Sequence, residues 1–120
     1  MPHIDSTEFG EITIDGKKYH QVLIIGDSVM ERDYEKLEKL FGTSHRIGDW
    51  ERDELLKGNP EIIIIGTGQS SVMNVDGELE DTLAKKEIEL IAVSTPEAVE
   101  IYNQKIKEGK RVNALIHTTC

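Results

Sequence analysis

Residues 61–68 read Glu-Ile-Ile-Ile-Ile-Gly-Thr-Gly, and this stretch decides the fold class. Four consecutive isoleucines favour an extended strand, and because successive side chains of a strand point to opposite faces, both faces must be covered. Apolar runs of this kind are typical of strands that lie inside a sheet between two layers. The run is far shorter than the roughly 20 apolar residues that span a bilayer, so no membrane span is expected.

The N-terminal part of the chain predicts an antiparallel hairpin. Residues 9–15 alternate polar and apolar side chains, which is typical of a half-buried strand. Asp15-Gly16 follows, and this pair favours a tight hairpin turn because glycine tolerates a positive φ. Residues 19–25 predict the second strand, and we expect the hairpin to extend or cover the main sheet.

Helices and strands alternate over the rest of the chain. Residues 31–41 predict a short helix that Gly42 closes in a left-handed conformation. The remaining predicted elements are a helix at 50–57 capped by Asp49, a helix capped by Asp76, a strand at 88–93, a helix capped by Thr95 with Pro96 in its first turn, and a strand at 110–117. This alternation indicates a parallel or mixed sheet with helices packed against it. The predicted fold is a single α/β (α+β) domain over residues 1–120, a layered sandwich with a mixed central sheet, helices on one side and the N-terminal β-hairpin layer on the other.

The composition indicates a soluble acidic domain. The chain has 14 Lys and Arg against 23 Asp and Glu, which gives a formal charge of −9 and argues against nucleic acid as a partner. Residues 1–10 lack the basic and apolar segments of a signal peptide, and one cysteine cannot form an internal disulfide, so we expect a cytoplasmic protein. No cofactor is indicated, and no Cys-x-x-Cys or His-x-x-x-His spacing predicts a metal site. The abundance of Ile, Lys and Glu also fits a thermophile.

The loop after the apolar strand is the candidate binding site. Backbone N–H groups of a glycine-containing loop can approach an anion at the carboxyl end of a strand. This loop lacks the Gly-Lys-Ser/Thr of a P-loop and the third glycine of the dinucleotide fingerprint, so a tight strand-exit turn is the simpler alternative. The residues that would line the binding site are Gly66, Thr67, Gly68, Ser70, Thr95 and Arg111, with His45 or His117 nearby.

Other polar groups predict no catalytic residue. His117 and Cys120 resemble a ligand or nucleophile pair, but residues three apart in a strand point to opposite faces, and a packed thiol is the simpler interpretation of Cys120. The carboxylates of residues 51–54 and 78–81 lie at helical spacing, and we expect them on solvated helix faces.

Several short motifs, taken in order, resemble a known family. They are Phe9-Gly10, Gly42-Thr43-Ser44-His45, Ile64-Ile65-Gly66-Thr67-Gly68, Thr95, Ala98, Tyr102-Asn103, Gly109-Lys110-Arg111-Val112 and His117-Thr118-Thr119-Cys120. The chain resembles, over nearly its whole length, the family of small uncharacterised domains that includes the adipogenesis-associated domain protein and the mitochondrial complex I assembly factor 3. The resemblance implies a compact layered fold and no particular reaction.

The sequence therefore leaves two functions open. The first is a non-catalytic protein-interaction or assembly-helper module that binds an unknown protein partner or a second copy of itself. The alternative is a small-molecule or anion-binding protein, or an enzyme, that uses the loop at residues 66–68.

Overall fold

The computed structural model describes residues 1–44, 46–70, 73 and 75–119. This part of the chain forms, in order, β1 (Ile4–Glu8), β2 (Glu11–Ile14), β3 (Lys17–Tyr19), β4 (Val22–Ile25), β5 (Ser28–Glu31), α1 (Tyr34–Phe41), α2 (Asp49–Leu55), β6 (Ile62–Thr67), α3 (Gly77–Lys85), β7 (Glu89–Val93), α4 (Thr95–Lys107) and β8 (Val112–His117). The strands make a three-stranded sheet in the order β1-β2-β3 and a five-stranded sheet in the order β5-β4-β8-β6-β7. None of the helices described is both long and apolar enough to cross a membrane.

The large sheet is mixed, as predicted. Its middle strand is β8, which pairs in parallel with β6 and antiparallel with β4. β7 extends the sheet in parallel beyond β6. All six residues of β6 are buried, so the prediction from the isoleucine run is confirmed.

Two apolar cores lie on opposite faces of the large sheet. One core joins Ile62 and Ile64 of β6 to α4 and the small sheet, and the other joins Ile63 and Ile65 to α2 and α3. The predicted layered α/β sandwich is confirmed, but α4 lies on the face covered by the small sheet, not on the opposite face with α2 and α3. Right-handed crossovers explain this difference: β6 to β7 and β7 to β8 run in opposite directions across the sheet, which puts α3 and α4 on opposite faces.

The predicted hairpin is present, but its second strand is shorter than expected. Asp15 and Gly16 form the turn between β2 and β3 with positive φ values of 48° and 81°. The predicted strand over residues 19–25 is wrong as one element, because β3 ends at Tyr19 and β4 begins at Val22 in the other sheet. β1 and β5 were not predicted. In β1, only Ile4 of the five residues is buried, and the sequence shows no alternation of apolar and polar side chains.

The helix ends agree only partly with the sequence patterns. Gly42 closes α1 with φ 71°, and Asp76 accepts the Leu79 N–H at the start of α3, so both predictions are confirmed. The caps predicted at Asp49 and Thr95 are wrong, because the N-caps are the preceding residues Gly48 and Ser94. The Thr95 hydroxyl instead bonds other elements, as described next.

Candidate functional site

The carboxyl ends of β6 and β8 lie side by side, at what is called here the carboxyl end of the sheet. Thr67 pairs with His117 across this parallel ladder. β4 runs antiparallel to β8 and begins at the same end, where Val22 pairs with Ile116. Because parallel strands end on the same side of a sheet, the loop after β6 and the terminal histidine meet here.

The polar groups of the predicted binding loop are bonded within the chain. Gly66, Thr67 and Gly68 are buried. The Gly68 N–H donates to Thr95 Oγ1 over 3.0 Å, and the Thr67 hydroxyl donates to the carbonyl of Val93 over 3.0 Å. The Thr95 hydroxyl donates in turn to the carbonyl of His117. These bonds join β6, β7, α4 and β8 at their ends.

Gly66 is explained by the close approach of α4. A Cβ at this position would lie 3.0 Å from Thr95 Oγ1, 3.3 Å from Ile116 Cδ1 and 3.4 Å from Ala98 Cβ. Only glycine leaves room for the helix at this distance. Packing of α4 on β6 therefore accounts for the glycine without a ligand.

A buried polar network occupies the start of β4 and the loops around it. The guanidinium of Arg32 makes a bidentate ion pair with Glu51, with N–O distances of 2.7 and 2.8 Å, and both side chains are 0% exposed. Its other bonds go to Gln21 Oε1 at 2.8 Å and to the carbonyls of Ser44 at 3.0 Å and Arg46 at 2.7 Å. Each of the five N–H donors of the guanidinium is thereby used. A charged group can remain buried when all its hydrogen-bond donors are paired in this way.

Gln21 connects this network to His117. Arg32 donates to Gln21 Oε1, which identifies that atom as the amide oxygen and therefore as an acceptor. His117 Nδ1 lies 2.6 Å from the same oxygen, so Nδ1 carries the proton. The other ring nitrogen, Nε2, lies 3.3 Å from Thr119 Oγ1. The imidazole is fully buried and held in one orientation.

The sequence patterns did not identify the charged members of this network. Glu51 was expected on a solvated helix face, and that prediction is wrong, because Glu51 is 0% exposed. One local signal exists: Glu51 stands three residues after Gly48 and accepts its N–H over 3.0 Å, which is the spacing of a capping box. The partner of Glu51 has no such signal, because Arg32 is brought to it by tertiary packing.

The structure brings together only part of the predicted binding site. Gly66, Thr67, Gly68, Thr95 and His117 meet at the carboxyl end of the sheet, and Ser70 follows them as an exposed residue. His45 and Cys120 lie outside the described residues.

Arg111 lies at the opposite end of the sheet, before β8. Its Nε donates to the carbonyl of Asn59 over 2.9 Å, and its Nη1 lies 3.9 Å from Glu61. The side chain lines two clefts of about 390 and 570 Å³ at that end. Arg111 therefore does not join the residues around His117.

Four large apolar side chains are exposed among the described residues. These side chains are Met1, Phe9, Tyr34 and Leu40. Phe9, at the tip of the β1–β2 turn, is 71% exposed, and Tyr34, the first residue of α1, is 48% exposed. α1 also carries Leu40, which is 58% exposed, so two large apolar side chains of this helix face water.

His20 connects the β1–β2 turn, which carries Phe9, to Tyr34 at the start of α1. The Gly10 N–H bonds the carbonyl of Thr118 over 3.0 Å, which fixes the β1–β2 turn against the end of β8. His20 Nδ1 lies 2.7 Å from the Gly10 carbonyl, and the His20 ring packs edge-on against Tyr34 with centroids 6.1 Å apart. Phe9, His20 and Tyr34 are called the hairpin–helix surface below.

A second aromatic group lies between α1 and α2. The rings of Phe41 and Trp50 are parallel, with centroids 6.4 Å apart. Lys36 Nζ lies 4.2 Å from the Trp50 centroid, and Arg46 Cζ lies 4.6 Å from the Phe41 centroid. The Lys36–Trp50 contact joins α1 to α2, and the Arg46–Phe41 contact joins the loop between the helices to α1.

Residues 4–117 match the family described as "Protein of unknown function (DUF498/DUF598)". The chain belongs to the DUF498 family. The match covers the hairpin, the buried network and the loop after β6, so the described site lies within the family's own domain. The predicted membership in a family of small uncharacterised domains is confirmed at this level.

Solved structures share the DUF498 fold. The protein MT938 is 31% identical, with 100% of each chain covered and a TM-score of 0.80. The conserved hypothetical protein PH1505 from Pyrococcus horikoshii OT3 is 28% identical, with 98% of each chain covered and a TM-score of 0.83. A Mth938-like domain from Bordetella pertussis is 17% identical over 97% of this chain and 85% of its own, with a TM-score of 0.64, and supports the fold alone. Neither the family description nor the descriptions of these three structures state a reaction.

Proposed function

We propose that this DUF498 protein is a non-catalytic protein-binding module that docks a partner on the hairpin–helix surface. The observation that carries the proposal is a contrast at the carboxyl end of the sheet. The buried polar side chains there, Arg32, Glu51 and His117, are bonded within the chain, whereas Phe9 and Tyr34 beside them are exposed. Exposed aromatic residues of this kind are typical anchors of protein interfaces.

The geometry of the turn suits Phe9 to an anchoring role. Full burial of a phenylalanine contributes about 1.5–3 kcal/mol, and 71% of this side chain is still available for burial. The turn is held at two points, by the Gly10 bond to Thr118 and by the Gln69 side chain, which donates to the Glu8 carbonyl over 3.0 Å. A ring presented on a fixed turn loses little conformational entropy when it binds.

The partner is expected to offer an apolar surface with basic residues around it. The chain carries a formal charge of −9. Exposed Glu8 and Glu35 adjoin the two aromatic residues of the surface in sequence. Opposite charge on the partner would steer its approach and fix its orientation.

Three narrower parts of the proposal rest on the sequence. The assembly-helper role rests on the resemblance to the family of the mitochondrial complex I assembly factor 3. Action in the cytoplasm is supported by the acidic composition and the single cysteine, and a thermophilic source by the content of Ile, Lys and Glu.

The alternative function, binding of a small molecule or an anion at residues 66–68, has weaker support. The Gly68 N–H already donates to Thr95, and the Thr67 hydroxyl to Val93. An anion in this loop would have to replace these bonds in a buried position, where an unpaired polar group costs about 1–3 kcal/mol.

Affinity capture from a native lysate, followed by calorimetry with the captured protein, tests the proposal. The wild type is compared with the double variant Phe9→Ser/Tyr34→Ser and with Lys107→Ser, a control at an exposed position at the far end of α4. We expect the wild type and the control to bind one partner equally. The double variant should bind it at least about 30-fold more weakly, because the loss of a single interface anchor of about 2 kcal/mol already gives that factor. Equal binding by all three proteins, or no partner for the wild type, would contradict the proposal.

A further inference from the structure

The outer side of β7 offers backbone groups for pairing with another strand. β7 stands at the end of the large sheet, with β6 on its inner side. The Glu89 N–H donates to the Glu61 carbonyl over 3.1 Å, so Glu89 bonds toward β6. Consecutive residues of a strand direct their backbone groups to alternate sides, and Leu90 and Ala92 therefore direct theirs outward.

The other outer strands are protected against such pairing. In β1, the ladder is irregular between Ile4 and Ser6, and the Asn103 side chain bonds both the N–H and the carbonyl of Ile4, over 3.0 and 2.8 Å. In β3, two of the three residues are exposed lysines, Lys17 and Lys18. Bulges and edge lysines are known devices against strand addition.

β5 and β7 are the outer strands of the large sheet, and each has one exposed glutamate at an end, Glu31 in β5 and Glu89 in β7. They differ in the length of the uncharged run, which in β5 covers only the three residues Ser28 to Met30. β7 continues without a charge or a proline from Leu90 to Val93, in regular register with β6. Within the described part of the chain, β7 is therefore the outer strand with the fewest obstacles to pairing.

We propose that β7 pairs antiparallel with β7 of a second copy of this chain, so that the two large sheets become continuous. The exposed Ala92 lies in this strand, at one of the two positions whose backbone groups point outward. A two-fold axis makes the same strand serve both copies, which is the usual symmetry of dimers.

The charges of α3, which packs against β7, favour a second copy as the occupant. α3 begins with Glu78 and Glu80 and ends with Lys85. A two-fold axis at β7 sets α3 antiparallel to its copy, so that the acidic start of one helix faces the basic end of the other. An unrelated extended peptide would gain nothing from this pattern.

The oligomeric state in solution tests the proposal. Sedimentation equilibrium from about 1 µM to 1 mM covers the range of weak association. We expect a concentration-dependent dimer, and we expect Ala92→Lys to raise its dissociation constant at least tenfold, because the variant places two like charges at the paired strands. Ala92→Pro, which removes an outward N–H from the edge strand, should act in the same direction. Ser28→Lys, at an exposed position of β5, is the matched control and should leave the dimer unchanged.

Each result decides the question. A monomer at every concentration, a dimer that Ala92→Lys leaves unchanged, or a dimer that Ser28→Lys weakens equally would overturn the proposal. Phe9→Ser should leave the dimer intact, which separates this surface from the proposed partner surface. A strand peptide from another protein that pairs with β7 in a monomeric chain would also count against a second copy.

Discussion

Glu51→Gln should destabilise the protein strongly, because it removes one charge of a fully buried ion pair. Both side chains of the Arg32–Glu51 pair are 0% exposed, and the two bonds that join them measure 2.7 and 2.8 Å. The amide keeps the shape of the carboxylate but offers one acceptor oxygen instead of two. The guanidinium then keeps a buried charge with no counter-charge, and breaking a buried pair in this way costs about 3–5 kcal/mol.

This loss is large in relation to the whole stability of the domain. A chain of 120 residues is expected to have a free energy of unfolding of about 6–18 kcal/mol, from roughly 0.05–0.15 kcal/mol per residue. Arg32→Met should also destabilise the protein, because it leaves the buried Glu51 carboxylate without its counter-charge. It also removes the donor that bonds the carbonyls of Ser44 and Arg46. In the double variant no buried charge remains, so its loss should fall at least about 2 kcal/mol short of the sum of the two single losses.

Urea unfolding, followed by circular dichroism, measures these differences. Glu54→Gln is the matched control on the same helix, since Glu54 pairs with Lys57 over 2.6 Å at a site where the lysine is 62% exposed. Exposed pairs contribute about 0–1 kcal/mol, so this variant should unfold nearly as the wild type does. A loss for Glu51→Gln below about 1 kcal/mol, or equal to that of Glu54→Gln, would refute the argument that a desolvated charge pair holds α2 to the start of α1.

Three further changes test separate parts of the structure. Gly66→Ala should lower the free energy of unfolding by about 1–3 kcal/mol, because the added methyl group overpacks against α4. Gly77→Ala, where a Cβ meets no atom within 4 Å, should leave the free energy of unfolding unchanged or raise it. Thermal melts of the two variants compare them directly. Tyr102→Phe should lose about 1 kcal/mol in urea unfolding, because the buried hydroxyl donates to a backbone carbonyl of the N-terminal segment over 2.8 Å, and an unchanged midpoint would show that this bond is dispensable. The Arg111 backbone N–H donates to the Glu61 carboxylate and holds its pKa below the usual 4.5. The carboxylate therefore stabilises the fold above pH 4.5, and this contribution is lost as the pH falls through the lowered pKa. An NMR titration in which Glu61 protonates at or above 4.5 would contradict this.

Much of the fold could be predicted because its signals are local. The isoleucine run of β6, the Asp15-Gly16 turn and the Asp76 cap each depend on residues within a few positions of one another, and all three are confirmed. β1 could not be predicted in this way, because only Ile4 of its residues is buried and its pairing with β2 supplies the strand conformation. The change of sheet between Tyr19 and Val22 could not be predicted either, because no proline or glycine separates the two strands in the sequence.

The same distinction between local signals and tertiary contacts applies to the candidate site. The position of residues 66–68 at a strand end follows from the sequence, and the alternative interpretation of a tight strand-exit turn agrees with their burial. Prediction of Thr95 as a cap was one residue late, and its hydroxyl was free to join Gly68 to the carbonyl of His117. Arg111 was predicted to line the same site, but the direction of β8 carries it to the other end of the sheet.

By itself, the sequence determined most of the strands and helices and an apolar sheet covered on both faces. Those properties depend on side-chain periodicity, turn residues and composition, all of which are local or additive. Only the tertiary structure decided that Arg32 would find Glu51 19 positions away, that Gln21 would meet His117 96 positions away, and that Phe9 and Tyr34 would remain exposed beside them. Burial and pairing depend on which chain segments pack together. The sequence around a charged residue does not show whether its side chain is exposed to water or buried with all its hydrogen bonds made.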